Sequence, residues 1–376
     1  MELVAVLVIL GAVVIIQNYL YQKYGLSKVI YNCSFDKEEV NEGDEITFTE
    51  EISNCKLLPL CWLKSELTTS RWLEFPELQS NLSGEMRYVS SFFMLKSYHK
   101  VVRRWTVRCS KRGVFGIDKA VLVATDILGN VNVSQVCEVN TSVTVLPTPA
   151  ELPPQICGRC SLSGDNVVRS GTIRDPFYVN GVHEYDESNP YGRISWSATA
   201  RTGEIMVFNN EYTFDGSVTV ILNVQSRMTD RFTPTQPRQV EYLIKLAAAV
   251  VERCSGMNLP VRIISNGMDT DGCFLSTPCG TGIANAGALL HSLARLQLKF
   301  DDDFGAFLYK NASVLPHTDI IILTAYTDAR IAEFSMETDN VTVISSGNPD
   351  DTLYGCQVYY LHGDTVHDDG AKEETA

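Results

Sequence analysis

A proline-rich segment divides the chain into two parts with different hydrophobic patterns. Leu146–Pro154 reads LPTPAELPP, and prolines at this density cannot form a strand ladder. Over residues 29–145, short alternating runs such as Ile46–Ile52 are separated by Gly, Asn, Asp and Pro, and no helical periodicity lasts ten residues. After Asp215, continuous apolar runs such as Val218–Leu222 alternate with amphipathic segments of helical period. The chain therefore predicts two domains of different class joined by a linker, as its length of 376 residues also suggests.

The two patterns predict two architectures. Many short strands are typical of a small Ig-like β-sandwich, which we expect over residues 28–146. Alternating strands and helices are typical of an α/β doubly wound domain with a largely parallel sheet, which we expect over residues 213–362. Residues 147–172 form the linker and a Ser/Gly-rich loop, and the acidic residues 363–376 predict a disordered tail. Ligands of doubly wound sheets lie at the carboxyl ends of the strands, so functional groups are expected after strands of this domain.

The N-terminal residues predict a membrane anchor. Leu3–Ile16 contains no charged or hydrogen-bonding side chain. Extended to Leu3–Tyr21, the stretch has about nineteen residues and spans roughly 28 Å, the thickness of one hydrocarbon core. An acidic residue precedes the run and no small-residue cleavage site follows it, so we expect an uncleaved transmembrane helix over residues 1–24. Lys23 and Lys28 on its carboxyl side predict a single-pass cell-membrane protein whose body is cytoplasmic.

Charge and cysteine usage limit the function classes. A formal net charge of −14 argues against nucleic-acid binding, which needs a basic surface to displace counterions. The eleven cysteines mostly stand alone in apolar or strand-like runs, which favours buried reduced thiols, with a few disulfides in an exported domain as the alternative. Cys157 and Cys160 have the spacing of a redox or zinc half-site. Prolines precede this pair and a Ser/Gly loop follows it, so a chance or local loop contact is the expected role, with redox chemistry and zinc as alternatives.

Residues 183–208 read HEYDESNPYGRISWSATARTGEIMVF and carry the most distinctive motif of the chain. The matching positions are Glu184, Tyr185, Arg193, Ile194, Ser195, Trp196, Ala200 and Arg201. Together with the turns Arg112–Gly116 and Asp126–Gly129, this motif resembles the bacterial domain-of-unknown-function family fifty-eight. The chain departs from that family where His183 replaces a leading Arg and where Ser188–Asn189 stands in place of Gly-Asp.

The resemblance implies a membrane-anchored protein whose C-terminal domain is similar to a von Willebrand factor A domain. It also implies a MoxR-type AAA+ ATPase as a candidate partner, because relatives are commonly associated with such ATPases. Residues 173–212 are the family signature segment, and two roles are open for it. Trp196 could fill the seam between the two domains while Arg201 pairs with a carboxylate, or both could lie on an exposed surface that binds a protein partner.

A von Willebrand factor A domain often binds a divalent ion through Asp-x-Ser-x-Ser, a later Thr and a later Asp. At the first three positions this chain has Asn223, Gln225 and Arg227, and Ala325 stands where the later Asp is expected. Only Thr281 is retained. Hard cations need carboxylate ligands, so we expect a degenerate site with no metal and no cofactor. Asn223 and Thr281 are then expected to hold loops through side-chain-to-backbone hydrogen bonds.

No catalytic residues are predicted. No Ser lies in a Gly-x-Ser-x-Gly turn, the six histidines are scattered, and Asp301–Asp303 is expected to be a solvated cluster at the start of a helix. The sequence therefore predicts a membrane-anchored, non-catalytic scaffold or adaptor that binds protein partners through its degenerate von Willebrand factor A-like domain. The alternative is a cell-envelope enzyme, a hydrolase or a thiol oxidoreductase, with a site that sequence motifs do not reveal.

Overall fold

A computed structural model describes residues 2–126, 128–152, 173–185, 194–213, 217–312, 319–338, 341–347 and 357–360. The chain forms two compact units. The first comprises Met1–Ala150, Asp269–Cys273 and Gly287–Gln297, and the second comprises Glu151–Met268, Phe274–Ala286 and Leu298–Ala376.

The chain begins with helix α1, Glu2–Tyr24. Among the described residues, no helix combines the length and the apolar character needed to cross a membrane. The prediction of a transmembrane anchor over Leu3–Tyr21 is therefore wrong, and so is the single-pass localisation with a cytoplasmic body that followed from it. The physical reason is length. The uninterrupted apolar run, Leu3–Ile16, spans only about 21 Å at the rise of an α-helix, against a hydrocarbon core of about 30 Å. The residues that extended the predicted span include the polar Gln17 and Asn18.

The carboxyl end of α1 is part of the core of the first unit. Tyr21 and Leu26 are buried in the same hydrophobic cluster as the strands of that unit. The ammonium group of the buried Lys56 donates to the carbonyl oxygens of Gly25 (2.5 Å) and Ser27 (2.9 Å), which lie just after the helix. These hydrogen bonds satisfy two carbonyl groups of the segment that links α1 to the first strand.

The described residues of the first unit contain ten strands. They are β1 Val29–Phe35, β2 Glu39–Asn41, β3 Glu45–Asn54, β4 Leu60–Ser70, β5 Leu73–Glu74, β6 Gln79–Ser83, β7 Met86–Leu95, β8 Lys100–Cys109, β9 Gly113–Thr125 and β10 Asn132–Leu146. A four-stranded sheet has the order β1-β3-β8-β5, and a six-stranded sheet has the order β2-β10-β9-β4-β7-β6. Alternate residues of β3 and β4 point into one shared core, which contains Phe48, Ile52, Leu63 and Leu67. The unit is thus a β-sandwich.

The second unit begins with a two-stranded antiparallel hairpin of β11 Ile173–Glu184 and β12 Met206–Thr213. Along the chain, the short helix α2, Trp196–Thr202, lies between these two strands. The helix ends at Gly203, which has a φ of 81° and donates its N–H to the carbonyl oxygen of Thr199 (2.9 Å). A glycine adopts this left-handed conformation without the steric cost of a Cβ atom.

The rest of the second unit is built on a six-stranded sheet. The elements that follow are β13 Val218–Leu222, α3 Pro237–Gly256, β14 Val261–Met268, β15 Phe274–Ser276, α4 Gly282–Arg295, α5 Phe304–Ala312, β16 Asp319–Thr324, α6 Ala329–Glu337, β17 Val341–Ser345 and β18 Gln357–Tyr360. All of them belong to the second unit except α4, which is part of the first unit from Gly287 onward. The strand order is β15-β14-β13-β16-β17-β18, and every neighbouring pair is parallel except β14 with β15. All five residues of β13 are buried, as a central strand of a parallel sheet requires.

The predicted architecture of an N-terminal transmembrane helix, an Ig-like sandwich and a von Willebrand factor A-like domain is wrong as a whole. No described helix can cross a membrane. The described residues are mainly β-structure, with ten strands in the first unit and eight in the second. What the structure shows is a two-sheet sandwich in the first unit, and a hairpin with a smaller α/β sheet in the second.

Candidate functional site

The carboxyl ends of three neighbouring parallel strands meet in a buried cluster of amide and hydroxyl groups. Asn223 follows β13, Asn266 lies near the end of β14 and Thr324 ends β16, and all three are fully buried. The Asn223 Nδ2 donates to Thr324 Oγ1 (3.0 Å), and its Oδ1 accepts from the backbone N–H of Gln225 (2.9 Å) and from Asn266 Nδ2 (3.3 Å). The Asn266 Oδ1 in turn accepts from the backbone N–H of Val224 (2.8 Å). Both polar atoms of Asn223 therefore have partners within the cluster.

Gln225 connects this cluster to two neighbouring loops. Its Oε1 accepts from the backbone N–H of Phe304 at the start of α5 (2.9 Å) and from the hydroxyl of Tyr326 (3.0 Å). Burial raises the pKa of Tyr326, which keeps its hydroxyl protonated as a donor at neutral pH. The amide of Gln225 thus links its own loop to the segments that contain Phe304 and Tyr326. In the Asp-x-Ser-x-Ser pattern of a von Willebrand factor A domain, this position is a serine that binds the metal ion.

Ala325 lies buried at the same edge, directly after β16. Gly347, which follows β17, packs against it so closely that a Cβ atom at Gly347 would lie 2.2 Å from the Ala325 carbonyl oxygen. The side chain of Arg227 is exposed, while its backbone N–H donates to the carboxylate of Asp230 (2.9 Å). The structure therefore gathers the predicted positions Asn223, Gln225, Arg227 and Ala325 at one edge of the sheet.

Thr281 lies at the opposite edge. The preceding Gly280 pairs with Val261, the first residue of β14, and Thr281 itself is exposed. Because Asn223 follows the carboxyl end of the neighbouring strand, the length of the sheet separates the two residues. Within the described residues, no group of three or more His, Cys, Asp and Glu side chains is placed to hold a metal ion.

Asp230 organises the loop Ser226–Gln236, which we call the Asp230 loop. Its Oδ2 accepts from the backbone N–H groups of Ser226 (3.0 Å), Arg227 (2.9 Å) and Thr235 (3.2 Å), and from the Ser226 hydroxyl (2.6 Å). Its Oδ1 accepts from the Thr235 hydroxyl. Burial raises the pKa of Asp230, but the hydrogen bonds from Ser226, Thr235 and Arg227 outweigh it, so the pKa lies below its ordinary value of 3.8. The ionised carboxylate therefore fixes the loop, although the sequence comparison did not single out this residue.

The signature segment forms part of the hairpin and of α2. No residue of α2 is buried, and Trp196, its first residue, is 72% exposed. Arg201 in the last turn is exposed as well. Two hydrogen bonds join α2 to β12. The backbone N–H of Ser195 donates to the Met206 carbonyl oxygen (2.8 Å), and the Met206 N–H donates to Thr199 Oγ1 (3.1 Å).

The other signature residues are less informative. Tyr185 is half-buried, and its backbone N–H donates to the carbonyl oxygen of Ile205 (2.8 Å). Glu184 pairs with Met206 in the hairpin. Arg193 lies outside the described residues. Trp196 and Arg201 are therefore the large motif side chains that the structure describes as exposed, and the functional interpretation depends on them.

The turn that contains Arg112 has a packing role in the first unit. Arg112 is buried, and its Nη1 donates to the carbonyl oxygens of Leu293 (2.7 Å) and Leu296 (2.9 Å), which belong to the same compact unit. In the second motif turn, Asp126 is fully buried and its Oδ1 accepts from the backbone N–H of Val131 (2.9 Å). Both turns of the sequence motif thus carry buried charged side chains with backbone partners.

A buried carboxylate that the sequence interpretation missed lies in the core of the sandwich. Glu50 on β3 is fully buried, and four side chains donate to it. They are Tyr31 (2.8 Å), Ser65 (3.1 Å), Ser91 (2.8 Å) and the indole N–H of Trp105 (2.8 Å). Burial, and secondly the charge of Glu50, raises the pKa of Tyr31 and raises that of Cys33 to about 12. Cys33 is therefore a protonated thiol at neutral pH and a poor nucleophile.

The described cysteines are free thiols: Cys33, Cys55, Cys61, Cys109, Cys137, Cys254, Cys273 and Cys279. The predicted half-site of Cys157 and Cys160 lies outside the described residues. Burial, and secondly the nearby Asp44, raises the pKa of Cys109 to about 11, so this thiol is also protonated at neutral pH.

Comparison with known proteins gives no assignment. No family model and no curated protein matches the chain. Among solved structures, a non-cellulosomal cohesin from Archaeoglobus fulgidus is 14% identical and aligns over 31% of this chain and 91% of its own, with a TM-score of 0.23. A CARDB domain from Pyrococcus furiosus, in complex with di-metal ions, is 10% identical over 31% of this chain and 93% of its own, with a TM-score of 0.21. Trypsin-activated alpha-2-macroglobulin from Escherichia coli is 18% identical over 35% of this chain and 9% of its own, with a TM-score of 0.24. The family resemblance of the signature motif therefore stays a prediction.

Proposed function

We propose that the protein is a non-catalytic binding protein whose second unit docks a protein partner through α2. The observation that carries this proposal is the exposure of Trp196 in a helix with no buried residue. Tryptophan and arginine dominate the binding energy of protein interfaces, because they offer large contact areas that keep a polar group available. The helix presents Trp196 and Arg201 to solvent, and it is attached to β12 through the hydrogen bond from Ser195 N–H to the Met206 carbonyl oxygen and the one from Met206 N–H to the Thr199 hydroxyl. This attachment makes it a suitable platform for such a contact.

The carboxyl edge of the α/β sheet supports the same function. At this edge a ligand of a doubly wound fold would be bound by polar groups at the strand ends. Here those groups, including Asn223, Gln225 and Thr324, donate to and accept from one another. Their hydrogen bonds stabilise the loops, which suits a domain that acts through its outer surface.

A MoxR-type AAA+ ATPase is a candidate partner that the sequence resemblance suggests. Its binding would be measured directly, by adding a purified ATPase of this type to the immobilised chain. Saturable binding that Trp196→Ala weakens supports this partner. Absence of binding removes this candidate and leaves the docking role of α2 to be tested with other proteins.

The general test compares two exposed tryptophans. Trp196 is 72% exposed in the second unit, and Trp62 is 60% exposed on β4 of the first. Full-length wild type, Trp196→Ala and Trp62→Ala are immobilised, exposed to the same cell extract, and the captured proteins are quantified by mass spectrometry. We expect at least one partner to be retained by wild type and by Trp62→Ala, and to be lost by Trp196→Ala at unchanged thermal stability. Retention of every partner by a folded Trp196→Ala variant would show that the proposed docking role is wrong.

A further inference from the structure

The Asp230 loop projects an aromatic side chain in a strained conformation. Phe232 is 66% exposed, and its φ of 65° lies in the left-handed region that bulky side chains rarely adopt. The conformation is held on both sides: the Phe232 carbonyl oxygen accepts from the backbone N–H of Phe300 (3.0 Å), and the Arg231 carbonyl oxygen accepts from that of Thr233 (2.8 Å). Strain of this kind persists where the surrounding structure enforces it, and it is concentrated at functional sites.

A cleft of about 100 Å³ opens on the same unit, between the β14–β15 pair and α5, and half of its eight lining residues are apolar and half polar or charged. Its walls include Ile264, Phe274, Leu275 and Phe307, and the rings of Phe274 and Phe307 have centroids 6.3 Å apart. Asp302 and Lys310 also line the cleft, and they form an ion pair with each other (3.6 Å). A dry cavity of about 150 Å³ with Leu, Ile and Phe walls binds benzene, so a cleft of this size and lining accepts a large part of an aromatic ring.

The side chain of Phe232, which we call the aromatic knob, and the cleft belong to adjacent segments of the second unit. The backbone N–H of Phe300 bonds the Phe232 carbonyl oxygen, and Asp302, only two residues later, lines the cleft. At 3.8 Å per residue the Cα atoms of Phe300 and Asp302 are at most about 8 Å apart. A chain that carries a knob and a matching hole side by side can pair with a second copy about a two-fold axis, because each copy then supplies one knob and receives the other.

The charges around the two features are complementary. Arg227 and Arg231 flank the knob, both are exposed, and neither forms an ion pair in the described part of the chain. The cleft is bordered by the acidic run Asp301–Asp303, in which Asp302 pairs with Lys310 and Asp303 pairs with Arg330 (2.5 Å). Across a two-fold axis, the arginines beside one knob would approach Asp301 of the other copy, the carboxylate of this run that has no ion pair among the described residues, which favours this register over a shifted one.

We propose that the protein forms a two-fold dimer in which Phe232 of each copy inserts into the cleft lined by Phe274 and Phe307 of the other. The second copy is preferred to an unrelated partner because adjacent segments of one chain carry both complementary features, the exposed ring with its cleft and the opposite charges. The contact does not depend on the docking role of α2.

Sedimentation velocity of the full chain over a concentration series tests this dimer with three variants. Phe232→Gly removes the knob, and glycine adopts the left-handed conformation without strain, so this variant folds at least as well as wild type. Ser276→Trp obstructs the cleft from an exposed position on its lining. Met336→Ala, which truncates an exposed side chain on α6, is the matched control.

We expect wild type and Met336→Ala to reach the mass of two 41.8 kDa chains. We expect Phe232→Gly and Ser276→Trp each to weaken dimerisation by roughly 30-fold or more, the effect of losing an interface hot spot. An equimolar mixture of these two variants restores one intact knob and cleft, so the mixed dimer should form more tightly than either variant alone. A wild type that stays monomeric up to about 100 μM, a dimer that neither variant weakens, or a mixture that gains no affinity would each overturn the proposal.

Discussion

The hydrogen bonds that four side chains donate to Glu50 predict that the sandwich depends on this buried carboxylate. In Glu50→Leu, the indole N–H of Trp105 loses its acceptor, and an indole can only donate. The hydroxyls of Tyr31, Ser65 and Ser91 lose theirs too, although Ser65 and Tyr31 can bond each other because their oxygens are 3.4 Å apart. Counting the indole and one or two hydroxyls as unsatisfied, at about 2 kcal/mol each, we expect a loss of about 4–6 kcal/mol in the free energy of unfolding.

Glu50→Gln should be much less damaging. The amide can turn its carbonyl oxygen toward Trp105 and its NH₂ group toward the hydroxyls, which accept as well as donate. Only the charge assistance of the hydrogen bonds is lost, and the neutral amide is less costly to bury, so we expect a loss of about 1 kcal/mol. Glu51→Gln is the matched control, since Glu51 is the next residue on β3, points the other way and pairs with the exposed Lys100. We expect its effect to stay within about 1 kcal/mol.

Urea unfolding of the full chain, followed by tryptophan fluorescence, measures these differences. Three of the four tryptophans, Trp62, Trp72 and Trp105, belong to the first unit, so the signal reports mainly on the sandwich. The reasoning is refuted if Glu50→Leu is as stable as Glu50→Gln or more stable. That result would mean that the cost of removing the carboxylate from water exceeds the gain from its hydrogen bonds.

Further predictions concern titratable and amide groups. The pKa of Asp230 lies below 3.8 in the folded chain. The ionised carboxylate therefore stabilises the fold fully above pH 3.8, and this stabilisation is lost as the pH falls through the lowered pKa. We expect acid unfolding, followed by far-UV circular dichroism, to be less steep in Asp230→Asn than in wild type. Burial lowers the pKa of Lys56 from 10.5 to about 8, so between these two pH values the unfolded chain binds a proton that the folded chain does not. The free energy of unfolding of wild type should therefore rise from pH 8 to pH 10.5. This rise should disappear in Lys56→Met. Asn223→Asp replaces a donor to Thr324 with a buried carboxylate oxygen, and we expect it to lower the free energy of unfolding by about 1–3 kcal/mol in urea titrations, whereas equal stability would contradict the hydrogen bonding described for Asn223.

Some features follow from hydrophobic period alone. The continuous apolar run Val218–Leu222 is a fully buried central strand, because a parallel sheet covered on both faces leaves no side of the strand to solvent. Hydrophobicity alone gave the wrong result for the run Leu3–Ile16. The run is too short to cross a membrane, and its extension to Tyr21 counted the polar residues Gln17 and Asn18 as membrane-spanning. Glu50 could have been found, because it has the parity of Ile46, Phe48 and Ile52, and residues two apart on a strand share a face.

The features of the second unit were less accessible from the sequence. The Asp230 loop needs five hydrogen-bond donors to converge on one carboxylate, and no short motif encodes that convergence. The left-handed φ of Phe232 is enforced by a hydrogen bond from Phe300, which is distant in sequence. The position of Thr281 was expected from a family pattern, whereas the pairing of Gly280 with Val261 places it at the other end of the sheet.

The docking role of α2 is tested most directly by site-specific photo-cross-linking. Benzoyl-phenylalanine is introduced at Ala200, an exposed position of α2, in wild type and in the Trp196→Ala background, and at Met336 as a control. After irradiation in cell extract, adducts are resolved by mass on denaturing gels and identified by mass spectrometry. We expect a discrete adduct from position 200 that position 336 does not give. In the Trp196→Ala background, we expect half-maximal cross-linking to need a roughly 30-fold higher concentration of the protein. Equal adducts with and without Trp196, or the same adduct from position 336, would contradict it.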